Sequence, residues 1–158
     1  MAPITLTPIG HVRGGRTDPT DDDWDAVAAV IELDPALFKP DALASLDAFS
    51  HIEVVFHFHA APQDKTHYGA RHPRGRSDWP LVGIFAQRGK DRPNHLGVTV
   101  CRLLGVEGLS LKVRGLDAID GTPVVDIKPV MKEFLPRGQI VQPQWASDLM
   151  AGYWEAPR

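Results

Sequence analysis

The run Leu96-Gly97-Val98-Thr99-Val100-Cys101-Arg102-Leu103-Leu104-Gly105-Val106 turns at Glu107-Gly108 and returns as Ser110-Leu111-Lys112-Val113-Arg114-Gly115-Leu116. Both arms are rich in β-branched and aliphatic residues. A short glycine-containing turn between two such arms predicts a β-hairpin.

Outward from this hairpin, fourteen prolines and fourteen glycines cut the 158 residues into short apolar runs, few of them long enough for a helix of ordinary length. Besides the arms Leu96–Val106 and Ser110–Leu116, strands are predicted near Ile4–Val12, Ala26–Leu33, His51–His59, Leu81–Gln87 and Thr122–Ile127. Short helices are predicted around Pro40–Leu46 and from Pro143 to Gly152. The fold class is therefore mainly β, a small closed or nearly closed antiparallel β-barrel with a few short helices, including a C-terminal one. Closure is one way to remove exposed sheet edges. In the last helix Pro143 suits the first turn, while Trp145, Leu149 and Tyr153 recur at four-residue spacing and read as a core-packing face.

A chain of this length fits one compact domain. No internal repeat or low-complexity linker divides it, so residues 1–158 are expected to form a single unit. Its 43% hydrophobic and 23% charged content is ordinary globular usage, which argues against disorder and fibrous repeats. The single cysteine, Cys101, excludes an intramolecular disulfide and any multi-cysteine metal site, and its apolar surroundings read as those of a buried thiol. No apolar run approaches the roughly 18 residues a membrane span needs, and no basic-then-apolar signal region opens the chain. A cytoplasmic protein without membrane association is expected.

The net charge of −3 gives no global attraction to nucleic acid. Between positions 71 and 92, however, Arg71, Arg74, Arg76, Arg88, Lys90 and Arg92 face only Asp78 and Asp91. This segment reads either as a phosphate-facing patch or as a solvated loop. Asp21-Asp22-Asp23 reads as an exposed acidic turn.

The stretch His51-Ile52-Glu53-Val54-Val55-Phe56-His57-Phe58-His59 alternates with period two. A strand here puts His51, Glu53, Val55, His57 and His59 on one face and the apolar residues on the other. His57 and His59 at this spacing can point at one metal if His67, His72 or His95 supplies a third ligand, which makes a metal-dependent enzyme or metal sensor the alternative reading. Histidines lining a ligand cleft or a solvated strand face are the others.

Two turns stand out. In Arg92-Pro93-Asn94, Pro93 fixes φ and Asn94 tolerates left-handed geometry, so the turn aims Arg92 and Asn94 rigidly, whether for binding or merely for structure. Asp120-Gly121 is a strong turn signal leading into Thr122-Pro123-Val124-Val125-Asp126-Ile127-Lys128-Pro129, where Asp126 and Lys128 share a strand face and either form an ion pair or leave Asp126 for a ligand. No Gly-x-Gly-x-x-Gly fingerprint, phosphate loop, nucleophile elbow or His-Glu-x-x-His helix is present. Rossmann-type cofactor binding and the common hydrolase mechanisms are thereby disfavoured.

Taken in order, Phe49-Ser50-His51-Ile52, Gly83-Ile84-Phe85-Ala86, Arg92-Pro93-Asn94 with Gly97, Asp117 with Asp120-Gly121-Thr122-Pro123, and Asp126-Ile127-Lys128-Pro129 resemble the TrmO-like, or TsaA-like, methyltransferase family. The resemblance implies a β-barrel enzyme that uses S-adenosylmethionine, forms a homodimer with the cofactor near the subunit interface, and methylates the exocyclic nitrogen of threonylcarbamoyl-modified adenosine in the tRNA anticodon loop. A non-catalytic protein that keeps the S-adenosylmethionine pocket is a further alternative. By the same resemblance the cofactor pocket takes Phe49, Ser50, His51, Ile52, Phe85, Arg88, Arg92, Pro93, Asn94, Leu116, Asp117, Gly121, Thr122, Pro123, Asp126 and Lys128. His51, Arg92 and Asn94 are the catalytic candidates. Asp117 or Asp126 would accept hydrogen bonds from the donor, no metal is implied, and tRNA would approach through the 71–92 segment. The chain departs from the family pattern in lacking a Pro-Arg-Gln block near its N-terminus, and Val130 follows Lys128-Pro129 where tyrosine is usual.

Overall fold

In the computed structural model, which describes residues 1–155, the strands are β1 (Gly10–Arg13), β2 (Ala28–Leu33), β3 (His51–His57), β4 (Ala70–Arg71), β5 (Val82–Gly83), β6 (Leu96–Glu107), β7 (Ser110–Arg114) and β8 (Pro123–Pro129). The one α-helix among the described residues, α1, is Gln144–Met150, and Pro143 precedes it as its N-cap. Positions 156–158 of the expected 1–158 unit lie outside the described residues.

Six strands close into an antiparallel barrel in the order β1-β2-β7-β6-β3-β8, and β4 and β5 form a small separate pair. The β6–β7 hairpin forms as predicted, with Glu107 opposite Ser110. Its register slips between Leu103 and Gly105, so Leu104 bulges out and is exposed. A second irregularity, opposite Val55 and Phe56, leaves Val125 of β8 as the extra residue between Val124 and Asp126.

Period-two alternation puts the core inside the ring. Ile52, Val54 and Phe56 of β3 are sealed, as are Ile31, Leu111, Val113 and Val124, and Val12 and Leu116 join them. Gly97 lies where the ring of Phe56 crosses β6, and a Cβ there would meet that ring at 2.6 Å. Gly10 is pressed harder, since its Cβ would fall 2.2 Å from the Glu32 carbonyl oxygen. Both glycines are dictated by close approach.

Four of the sequence expectations need correction. The first strand starts at Gly10 and not Ile4: Ile4 and Leu6 are exposed, and Pro3 and Pro8 lack the N–H a ladder needs. The Leu81–Gln87 strand shrinks to Val82–Gly83 followed by a 3₁₀ turn at Ile84–Ala86, which buries Ile84 and leaves Phe85 79% exposed. Pro40–Leu46 is broken into 3₁₀ turns at Pro40–Leu43 and Leu46–Ala48 because Ser45 adopts a left-handed φ of 68° between them. The His51 strand stops at His57, where Phe58 donates to the His95 carbonyl and His59 folds back on that of His57. His59 therefore leaves the strand face assigned to it.

Cys101 points inward at 3% exposure, and burial, followed by the nearby Asp117 charge, pushes its thiol up to about 12. The folded protein is expected to resist iodoacetamide at mildly alkaline pH and to take up one equivalent after denaturation in urea, as mass spectrometry would read. Rapid labelling without denaturant would contradict this burial.

Candidate functional site

The turn expected to aim Arg92 and Asn94 is built as its residues require. Pro93 opens a 3₁₀ turn, Asn94 sits at φ 65° and His95 at φ 50°, both left-handed. The strain is held from below. His95 is 2% exposed and its Nε2 lies 2.6 Å from the Thr66 hydroxyl, while the Arg92 guanidinium donates to the Gln87 carbonyl at 2.6 Å. Gln87 is itself anchored, donating to the carbonyls of Arg71 and Val82. Asn94 stays exposed at the tip. Arg88 reaches the Val98 carbonyl at 2.7 Å, while Phe85 stands in solvent.

The second turn is tied to the barrel by Gly121 N–H donating to the Val12 carbonyl and by Asp120 accepting from the Gly14 N–H. Thr122 donates its hydroxyl to the Ile119 carbonyl and leads into β8 through Pro123, which faces His11. Asp126 and Lys128 form the anticipated ion pair at 2.9 Å, and the second Asp126 oxygen accepts from the Ile127 N–H. The Asp126 neighbour raises the Lys128 pKa by hydrogen bond and charge.

Asp117 is the most engaged of the candidates. One carboxylate oxygen accepts from the Thr99 hydroxyl and the other from the Tyr153 hydroxyl, both at short range. Tyr153 comes from the segment after α1, which is laced to the acidic loop: Asp23, Trp24 and Asp25 N–H donate to the carbonyls of Gly152, Tyr153 and Trp154. Burial, then the Asp117 charge, raises the Tyr153 pKa, so the phenol remains a donor. Thr99 and Tyr153 were not identified from sequence as site residues. The Trp145, Leu149 and Tyr153 stripe, read as a core face, is only half-buried, and α1 contributes no buried residue.

Among the described residues, two depressions divide part of the sequence-predicted set. Phe49 and Asp126 line a cleft of about 410 Å³ whose walls are Ile9, Phe38, Leu43 and Leu46. His51, its Nδ1 2.6 Å from the Ser50 hydroxyl, opens instead onto a groove of about 640 Å³ on the outer barrel face. Ile52, Leu116 and Thr122 are sealed in the interior, so they can serve a site by placing their neighbours.

The basic segment is largely neutralised from within. Arg71 pairs with Asp91 at 3.1 Å, Arg74 with Asp21 and Asp22, and Arg76 with Asp78. Arg88 and Lys90 are left exposed, without a carboxylate partner among the described residues. The histidines do not converge on a cation. His57 stacks on His95 with ring centroids 6.1 Å apart, and burial, then His95 and His59, lower its pKa from the usual 6.5. No group of three or more His, Cys, Asp or Glu able to hold a metal occurs among the described residues. No helix there is long and apolar enough to cross a membrane.

A closed antiparallel barrel with these turns defines the class of the molecule, and comparison with known proteins gives its family. Residues 18–134 match the family described as the tRNA-methyltransferase O N-terminal domain, and the chain belongs to that family. A Pyrococcus abyssi relative named "Probable S-adenosyl-L-methionine-binding protein" is 33% identical over 141 residues, 83% of this chain and 70% of its own. The Mus musculus protein named tRNA (adenine(37)-N6)-methyltransferase is 38% identical over 93 residues, 59% of this chain and 21% of that protein. The crystal structure of TrmO from Pseudomonas aeruginosa superposes with a TM-score of 0.73 at 29% identity, covering 90% of this chain and 62% of that one. Against two further Pseudomonas aeruginosa relatives the chain spans 57% and 45% of their length.

Proposed function

We propose that this chain binds S-adenosylmethionine and transfers its methyl group to the exocyclic nitrogen of an adenosine beside the tRNA anticodon, the threonylcarbamoyl-modified form being the acceptor. The family match over residues 18–134 carries the reading, because it takes in every sequence block on which the resemblance rests. The protein is read as cytoplasmic and as a homodimer with the cofactor near the interface. Arg88 and Lys90, the exposed cations of the 71–92 segment without a carboxylate partner among the described residues, contact tRNA.

When bound, S-adenosylmethionine supplies a methyl group already activated by its sulfonium, so the protein's work is chiefly alignment. The 410 Å³ cleft falls in the usual range for small-molecule sites and offers an apolar wall with one carboxylate, a fit for a nucleoside. Asp117 and Asp126 divide the roles open to them. Both oxygens of Asp117 are already taken by Thr99 and Tyr153, so it positions strand ends. Asp126 borders the cleft, and its partner Lys128 is 67% exposed and free to swing away, so Asp126 accepts from the ligand. The rigid Arg92-Pro93-Asn94 turn orients the acceptor, and the His51 imidazole holds or removes its proton.

Isothermal titration calorimetry with the purified chain tests the first half. Binding of S-adenosylmethionine is expected, weakened about tenfold in Asp126→Asn, where a neutral amide oxygen replaces the charged acceptor. No heat at millimolar ligand would overturn the reading. For the second half, transfer of labelled methyl to tRNA should be lost in Arg92→Ala and Asn94→Ala. Undiminished transfer would remove that turn from the site.

A further inference from the structure

The outer barrel face carries two arginines, Arg102 and Arg114, that the methyl-transfer reading leaves unused, in line with the His51 that it does use. On antiparallel strands, directly opposed residues share a face, and the register sets His51 of β3 opposite Arg102 of β6 and Arg102 opposite Arg114 of β7. Two arginines directly opposed repel and weaken a sheet, so the pairing needs a compensating anion. Asp25 supplies half of it, at 3.2 Å from Arg102. Arg114 has no acidic partner among the described residues and stands exposed.

These residues line one open groove of about 640 Å³ together with Val100, Met150 and Trp154. The indole of Trp154 is braced edge-to-face by Tyr153 at 5.0 Å and remains 37% exposed. Asp25 and Glu155 also line the groove; Asp25 is held by Arg102, which leaves Glu155 as the acidic side chain there without an ion-pair partner among the described residues. An unpaired guanidinium and an indole braced by its neighbour together make a phosphate contact beside a stacking surface.

We infer that this groove docks the RNA acceptor through its backbone, a phosphodiester lying against Arg114 and an unpaired base stacking on Trp154. The inference rests on the proposed tRNA reading and adds a contact distinct from the 71–92 segment, where Arg71, Arg74 and Arg76 are already held by aspartates.

The test is fluorescence anisotropy with a labelled tRNA anticodon stem-loop, titrated with the full chain across a salt series. Arg114→Ala should bind several-fold more weakly and lower the slope of log affinity against log salt by about 0.7, as expected for one lost phosphate contact on an unpaired strand. Glu155→Gln should bind more tightly, and Trp154→Ala more weakly at an unchanged salt slope. Calorimetric affinity for S-adenosylmethionine should be the same in wild type, Arg114→Ala and Glu155→Gln, which also checks that the variants fold. Equal affinity and slope for wild type and Arg114→Ala overturns the groove as the docking site, and methyl transfer persisting in that variant would leave the proposed function standing. Wild type that binds neither the stem-loop nor S-adenosylmethionine would overturn the proposed function itself.

Discussion

Phe56→Ala is expected to lower the free energy of unfolding by about 3–5 kcal/mol, read from urea denaturation followed by tryptophan fluorescence. Phe56 is 1% exposed, its ring meets Phe58 edge-to-face at 5.3 Å, and β3 is paired along both edges, to β6 and β8. Removing it empties the centre of the barrel, and the flanking strands cannot close the gap without breaking ladder bonds. Phe134→Ala is the matched control, because Phe134 is 86% exposed and its loss should move stability by less than about 0.5 kcal/mol. Similar costs for the two substitutions would mean that the inward face of β3 is wrongly assigned.

Asp117→Ala should have the second large effect. It strips the acceptor from two largely enclosed hydroxyls, those of Thr99 and Tyr153, and each orphaned donor costs about 1–3 kcal/mol. Tyr153→Phe and Thr99→Val remove one donor each and keep most of the shape, so each should cost less. A double-mutant cycle between Asp117 and Tyr153 should give a positive coupling energy, and limited proteolysis should cut the chain beyond α1 sooner in Asp117→Ala than in wild type. Additive costs and unchanged cleavage would mean that the Tyr153 contact does not hold the C-terminal segment.

What was legible in the sequence was what depends on neighbours along the chain. The β6–β7 hairpin, the inward Ile52, Val54 and Phe56 of β3, the left-handed Asn94 and the Asp126–Lys128 pair all follow from period-two alternation or turn chemistry within a few residues. Leu81–Gln87 misled because an apolar run says nothing of which residues find a partner strand: Ile84 is buried while Phe85 points away. Tyr153 was misread because four-residue spacing looks the same whether the stripe meets the core or a carboxylate. The Thr99–Asp117–Tyr153 arrangement joins residues 18 and 36 positions apart and leaves no local signature. The basic segment was half-read for the same reason, since Arg74 finds Asp22 across 52 positions.

The ring formed by β1, β2, β7, β6, β3 and β8 has no first or last strand. A neighbouring molecule therefore cannot join it by extending the ladder, because every barrel strand already has two partners. Recognition on the barrel wall is confined to outward side chains such as Val98, Val100, Arg102 and Arg114, which a single codon change can alter without unpicking the ring. Choice of companion can thus drift in evolution while the scaffold beneath stays the same.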